Sequence, residues 1–158
     1  MSTLHTWEYL GRVASQLGHI RTVNGYRTNA GLLVTREPEQ SELDDPARII
    51  VLLDGMRQPE DPAMRGIGLQ FVVAIVGQVP KSLNNAQQRM HELADDIHRC
   101  MGNRQLQMQH FAPGGEWPIP KFLESSVVPP AEGMNWTGVA ARYNATVRVR
   151  TTPTTPIT

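Results

Sequence analysis

Apolar residues recur along this chain with two periods, one helical and one extended. In residues 4 to 20, Leu10, Val13, Leu17 and Ile20 fall three and four apart, so they share a face and predict an amphipathic helix. Ser2 or Thr3 is placed to cap it and Glu8 sits near its positive end, while Gly11 and Gly18 weaken it. The stronger helical pattern runs from Ser82 to Met101. Ala86, Met90, Leu93, Ile97 and Met101 make one apolar stripe, with Ser82 as the expected cap and Gly102-Asn103 as the expected stop.

The extended pattern is clearest in Leu69 to Val79. Phe71, Val73 and Ile75 point one way, Val72, Ala74 and Val76 the other, and Pro80 ends the run. Trp136 to Thr151 alternates cleanly. Val139, Ala141, Tyr143, Ala145, Val147 and Val149 share one side, opposite Arg142, Asn144, Thr146, Arg148 and Arg150. Arg48 to Asp54 holds the unbroken apolar run Ile49 to Leu53, which predicts burial on both faces. Leu32 to Arg36 and Phe122 to Val128 are shorter strand candidates.

Between the first helix and the first strand lies RTVNGYRTNAGLLV, with two Gly-bearing turn signals, Asn24-Gly25 and Asn29-Ala30-Gly31. This predicts a shaped elbow with Tyr26 and Arg27 at its tip. Residues 37 to 47 (EPEQSELDDPA) read as an acidic loop, residues 57 to 68 as a Pro/Gly loop, and residues 103 to 120 as a loop region. No internal repeat is present. The order is helix, three strands, helix, then one or two strands. Links without helices favour antiparallel pairing. The expected fold is α+β: a mainly antiparallel sheet of four to five strands with two helices packed on it, in one domain over residues 1–151, followed by a flexible tail, 152–158.

Composition narrows the function. The 158 residues carry 15 Lys and Arg against 15 Asp and Glu, so the formal charge is zero. A dedicated nucleic-acid binder shows a basic excess, and this chain has none. Low net charge also removes a barrier to self-association. The single cysteine, Cys100, allows no disulfide within the chain and reads as a small buried hydrophobe. MSTLHTWEYL has neither a basic nor an apolar signal region, so no secretory leader is expected. The run FVVAIV is too short to span a bilayer, so no membrane role is expected.

One candidate set for metal chemistry stands on the second helix. His91, Asp95 and His98 are spaced four and three apart on one face, and both residue types ligate transition metals. The competing reading is a solvated face with an Asp95–Arg99 pair. No HExxH, GxSxG or GxxxxGK[ST] motif occurs. Arg142, Arg148 and Arg150 form a basic stripe with no acid among residues 133 to 150. It suits either nucleic-acid phosphates or the acidic loop of a neighbouring copy, with Glu42 and Asp44 as partners. The second option uses both charge features and is preferred.

The order of elements, the stretch NGYRTNAGLLV, the helix NAQQRMHELADDIHRCM and the closing strand GVAARYNATVRVRT together resemble the tail terminator and tail-completion (neck) proteins of long-tailed bacteriophages. The resemblance covers most of residues 4 to 151, and the Pro-rich region 113 to 130 departs from it. It implies a structural virion protein with no catalytic residues and no cofactor. It further implies a homo-oligomeric ring, typically hexameric, that caps the tail tube, stops its polymerisation and docks to the head-tail connector. The implied partners are further copies of itself, the tail tube protein and a connector or neck protein, with DNA passing only as cargo through the lumen. Assembly in the host bacterial cytoplasm and residence in the virion follow from the same resemblance. Another head-tail joining protein of similar fold is the alternative, and a small metal-dependent enzyme using His91, Asp95 and His98 is the rival from a different class.

Overall fold

The structure, a computed structural model, describes residues 5–37, 47–64, 68–111, 117–128 and 135–148. The main elements in chain order are α1 (His5–Leu17), β1 (Val34–Thr35), β2 (Arg48–Arg57), β3 (Gly68–Pro80), α2 (Ala86–Met101), α3 (Arg104–His110), β4 (Lys121–Val128) and β5 (Trp136–Arg148). Short 3-10 turns at Thr22–Asn24, Ala30–Leu32 and Pro62–Met64 join them. The five strands form one sheet in the order β1-β2-β3-β5-β4. All pairs are antiparallel except β1 with β2, so the architecture is α+β with a mainly antiparallel sheet.

The period-two pattern decides which side of the sheet the helices cover. Phe71, Val73 and Ile75 of β3 lie opposite Ala145, Tyr143 and Ala141 of β5, and Ile75 lies opposite Val51 of β2. These residues join Ile49, Val139 and the helix side chains in one core. Burial also reaches the other face: Ile50, Val72, Ala74 and Ala140 are no more than 6% exposed. The continuous apolar run in β2 therefore has its expected meaning for Ile49, Ile50 and Val51, while Leu52 and Leu53 are half-buried.

The stripe on α2 is wholly buried, from Ala86 to Met101. The helix approaches β3 closely at Gly77, where a Cβ would stand 2.8 Å from Leu93 Cδ2 and 3.0 Å from Ile97 Cδ1. The glycine is thus a seat for the helix. On α1, Leu10, Val13 and Leu17 are buried as their spacing predicts. Tyr9 is fully buried too, its hydroxyl donating to the Pro118 carbonyl at 2.8 Å.

Three boundaries differ from the pattern reading. α2 begins at Ala86, because the chain leaving Pro80 needs a turn first: Leu83 N–H bonds back to Pro80 and Ala86 N–H to Leu83. Ser82 lies inside that turn and does not cap the helix. Residues 104–110, expected as loop, are α3. Asn103 starts it, its side-chain oxygen accepting from Leu106 N–H at 3.1 Å, so the residue expected only to stop one helix also opens the next. The first strand is only Val34–Thr35, because Ala30–Leu32 is spent on a 3-10 turn.

Candidate functional site

The elbow after α1 is built by glycines and amides that close it on itself. Gly25 adopts φ +91°, a left-handed value that L side chains rarely adopt, and its N–H bonds to Thr22 at 3.0 Å. Asn29 Oδ1 accepts from both the N–H and the hydroxyl of Thr22, at 2.9 and 3.2 Å. Gly31 N–H then bonds to the Ile20 carbonyl at 2.8 Å, where a Cβ would stand 2.6 Å from that same oxygen. No larger residue fits against the end of α1 there.

What ties the elbow to the rest of the molecule is Asp96 of α2. It is fully buried. Its carboxylate accepts from Arg27 N–H at 3.0 and 3.1 Å, from Thr28 N–H at 2.8 Å and from the Thr28 hydroxyl at 2.8 Å. Charge-assisted bonds of this kind are the strong ones, and they supply what a buried carboxylate requires. No local pattern in the sequence singles out Asp96. The one signal is its position: an acid between Leu93, Ile97 and Cys100 on the buried side of the helix needs donors from elsewhere in the chain.

The two tip residues take different orientations. Tyr26 is half-buried against the core, with the Arg99 guanidinium 5.5 Å from its ring centre. Burial pushes its phenol up to about 12. Arg27 is exposed and turns its guanidinium to Asp95, at 3.4 Å.

Asp95 also meets Arg99, at 3.9 Å, so the expected pair along the helix is present. His91 lines a shallow cleft with Arg27, Gln88, Glu92 and Asp95. His98 stacks edge-on against Phe122 of β4, ring centres 5.2 Å apart. Seven residues of helix rise by about 10.5 Å, too far for His91 and His98 to share one ion. Among the described residues, no group of three His, Cys, Asp or Glu side chains is arranged to hold a metal.

Cys100 is buried as its place beside the stripe suggested. Its Sγ donates to Gln16 O at 3.2 Å, and Gln16 Nε2 donates back to Cys100 O at 2.9 Å. Burial raises the thiol to about 11, so the nucleophilic thiolate is disfavoured.

Arg142 finds its acids within its own chain. Its Nε lies 3.2 Å from Asp54 Oδ2 of β2 and its Nη1 3.8 Å from Glu124 Oε1 of β4, with Ser126 Oγ at 3.3 Å. Both carboxylates come from other strands, outside residues 133 to 150. Arg148 pairs with Gly68 through the sheet. Its side chain, like Arg150, Glu42 and Asp44, lies outside the described residues.

Exposed apolar side chains stand at both outer ends of the sheet, and Met56 of β2 and Met108 of α3 are exposed as well. At one end is β4, where Phe122, Leu123 and Val127 are 48%, 42% and 57% exposed. Behind it lies a cavity of about 200 Å³ between α2 and β5, lined by Ala94, Ile97, His98, Phe122 and Tyr143 among others. At the other end is β1, approached by Leu32 and Leu33, which are 59% and 38% exposed, while Val23 on the elbow is 82% exposed. Trp7 stands on α1 with the Arg36 guanidinium 4.0 Å above its ring. No protein-family model matches the chain, and no curated protein matches it. Among the described residues, no helix is long and apolar enough to cross a membrane.

Proposed function

We propose that this chain is a structural subunit that joins head to tail with copies of itself into a closed ring, in the manner of the phage tail terminator and tail-completion proteins it resembles. The observation that carries this reading is the placement of two unlike exposed apolar groups at opposite edges of one sheet: Phe122, Leu123 and Val127 on β4, and Leu32 and Leu33 beside β1. Exposed apolar groups clustered at a sheet edge mark a docking surface. Two different patches on opposite sides suit a heterologous contact, and such contacts close into rings when the rotation allows. The apolar edges, rather than the Arg142 stripe, are the better candidates for the subunit contact, since Arg142 is paired within its own chain.

In this reading the ring caps a tail tube, stops its growth and offers a face to a head-tail connector. The protein then resides in the virion, after assembly in the host cytoplasm. The elbow is a shaped contact element held by Asp96, and DNA passes through the lumen without sequence-specific binding.

The test is the native mass of the purified chain over a concentration series, alone and with the tail tube protein. A discrete oligomer near six copies of 17.6 kDa is expected. A strict monomer under both conditions overturns the proposal.

A further inference from the structure

The fold brings together two histidines that are far apart in sequence. His19 follows α1 and His110 ends α3, yet their Nε2 atoms lie 3.2 Å apart, with the rings edge-on at 67°. Both side chains are half-buried, so solvent reaches them. Without a metal, one Nε2–H donates to the other Nε2, the roles being set by the tautomers.

The same separation suits chelation. With metal–nitrogen bonds of about 2.1 Å, two nitrogens 3.2 Å apart subtend roughly 100° at the ion, between the octahedral and tetrahedral angles. We propose that His19 and His110 form a two-histidine site for a borderline divalent transition-metal ion such as Ni²⁺ or Zn²⁺. Imidazole nitrogen is the ligand these ions favour over carbonyl or water. On binding, the donor ring carries its proton on Nδ1 instead of Nε2, which frees both Nε2 lone pairs with no net proton released. Water completes the coordination sphere, since no third His, Cys, Asp or Glu joins the pair among the described residues.

The charges around the pair moderate the affinity. Arg12 donates to the His110 carbonyl at 2.8 Å, and its positive charge opposes an incoming cation. Glu8, 3.5 Å from Arg12, offsets part of that charge. A bound ion would staple the end of α1 to the end of α3. Because the site exists only in the folded chain, binding raises the unfolding temperature by mass action. This inference does not depend on the ring: it concerns each subunit by itself.

The test is calorimetric titration of Ni²⁺ into the full chain after chelator treatment, paired with thermal unfolding. Saturable binding of one ion per chain is expected, with a rise in unfolding temperature. His19→Gln and His110→Gln should each weaken binding by more than the roughly 10–100-fold lost when only a ligand's supporting partner is removed. The double variant His91→Gln/His98→Gln should bind as the parent does. Should a histidine variant unfold, paramagnetic broadening by Ni²⁺ in the unmodified chain gives the same answer, with the His19 and His110 ring signals lost first. No saturable binding, binding that survives both substitutions, or binding lost with His91 and His98 overturns the proposal.

Discussion

Asp96 holds Thr28 by two 2.8 Å hydrogen bonds, one from its backbone N–H and one from its hydroxyl, across 68 positions of sequence. This contact explains why turn residues are concentrated so early in the chain. The two glycine-based turns bring successive N–H groups, those of Arg27 and Thr28, to one buried carboxylate. The shaped loop is thereby fixed to α2.

Asp96→Ala should therefore destabilise the fold by about 3 kcal/mol, because it leaves buried donors without partners. For a chain of this size that is a drop in unfolding temperature of roughly 6–12 °C. Thr28→Val removes only the hydroxyl and should cost about 1 kcal/mol. Thermal unfolding of both variants checks this. Equal losses would mean that the elbow is held by something other than the carboxylate.

Gly77→Ala should be destabilising despite the strand's tolerance of larger residues. The added methyl meets Leu93 and Ile97 and pushes α2 off the sheet, an overpacking that costs about 1–3 kcal/mol. Coupling to Leu93→Ala discriminates the cause. If the clash is responsible, the double variant loses less than the sum of the two single losses. Simple additivity would count against the seat.

The two patches make a prediction about mixtures. Leu123→Glu with Val127→Glu breaks the β4 face, and Leu32→Glu with Leu33→Glu breaks the elbow face. All four side chains are exposed, so folding should be spared. In a head-to-tail ring each double variant alone is monomeric, and an equimolar mixture forms a one-to-one pair through its single intact contact. Native mass measurement reads this directly. If the elbow variant assembles as the parent does, the contact is symmetric through β4 and the ring reading fails.

Alkaline pH should weaken the fold. The Cys100 thiol is raised by burial from an ordinary 9.0 to about 11, and the Tyr143 phenol, also by burial, from 10.0 to about 12. Above pH 9 the unfolded chain loses these protons while the folded chain keeps them, so stability falls as pH rises. The slope from one such group is at most about 1.4 kcal/mol per pH unit. Denaturant unfolding between pH 8 and 11 measures it. Cys100→Ala should flatten the lower part of the decline, and an unchanged slope would remove Cys100 as its source. Native Cys100 should also resist thiol reagents until the protein unfolds.

The candidate site was less legible in the sequence than the elements that carry it. Tyr26 and Arg27 were marked by the turns around them, but their different orientations depend on α2, which no local pattern places. Arg142 looked unpaired because its acids, Asp54 and Glu124, stand on other strands. His91, Asp95 and His98 share a helical face by spacing, yet two helical turns separate the imidazoles. The pair that does meet, His19 with His110, has no spacing to betray it.

Periodicity alone determined the two main helices, the long strands and the face each would bury, because a side chain's direction follows from 3.6-residue and two-residue repeats. The tertiary structure decided everything that depends on residues distant in sequence. It set the strand order that leaves β1 and β4 at the edges, the burial of Asp96 against the elbow and the pairing of Arg142. It also made α3 a helix, where one half-buried Leu106 is too little amphipathic signal to read and the Asn103 cap supplies the start. Hydrogen bonds and ion pairs need partners at about 3 Å, and only the folded chain brings those partners within reach.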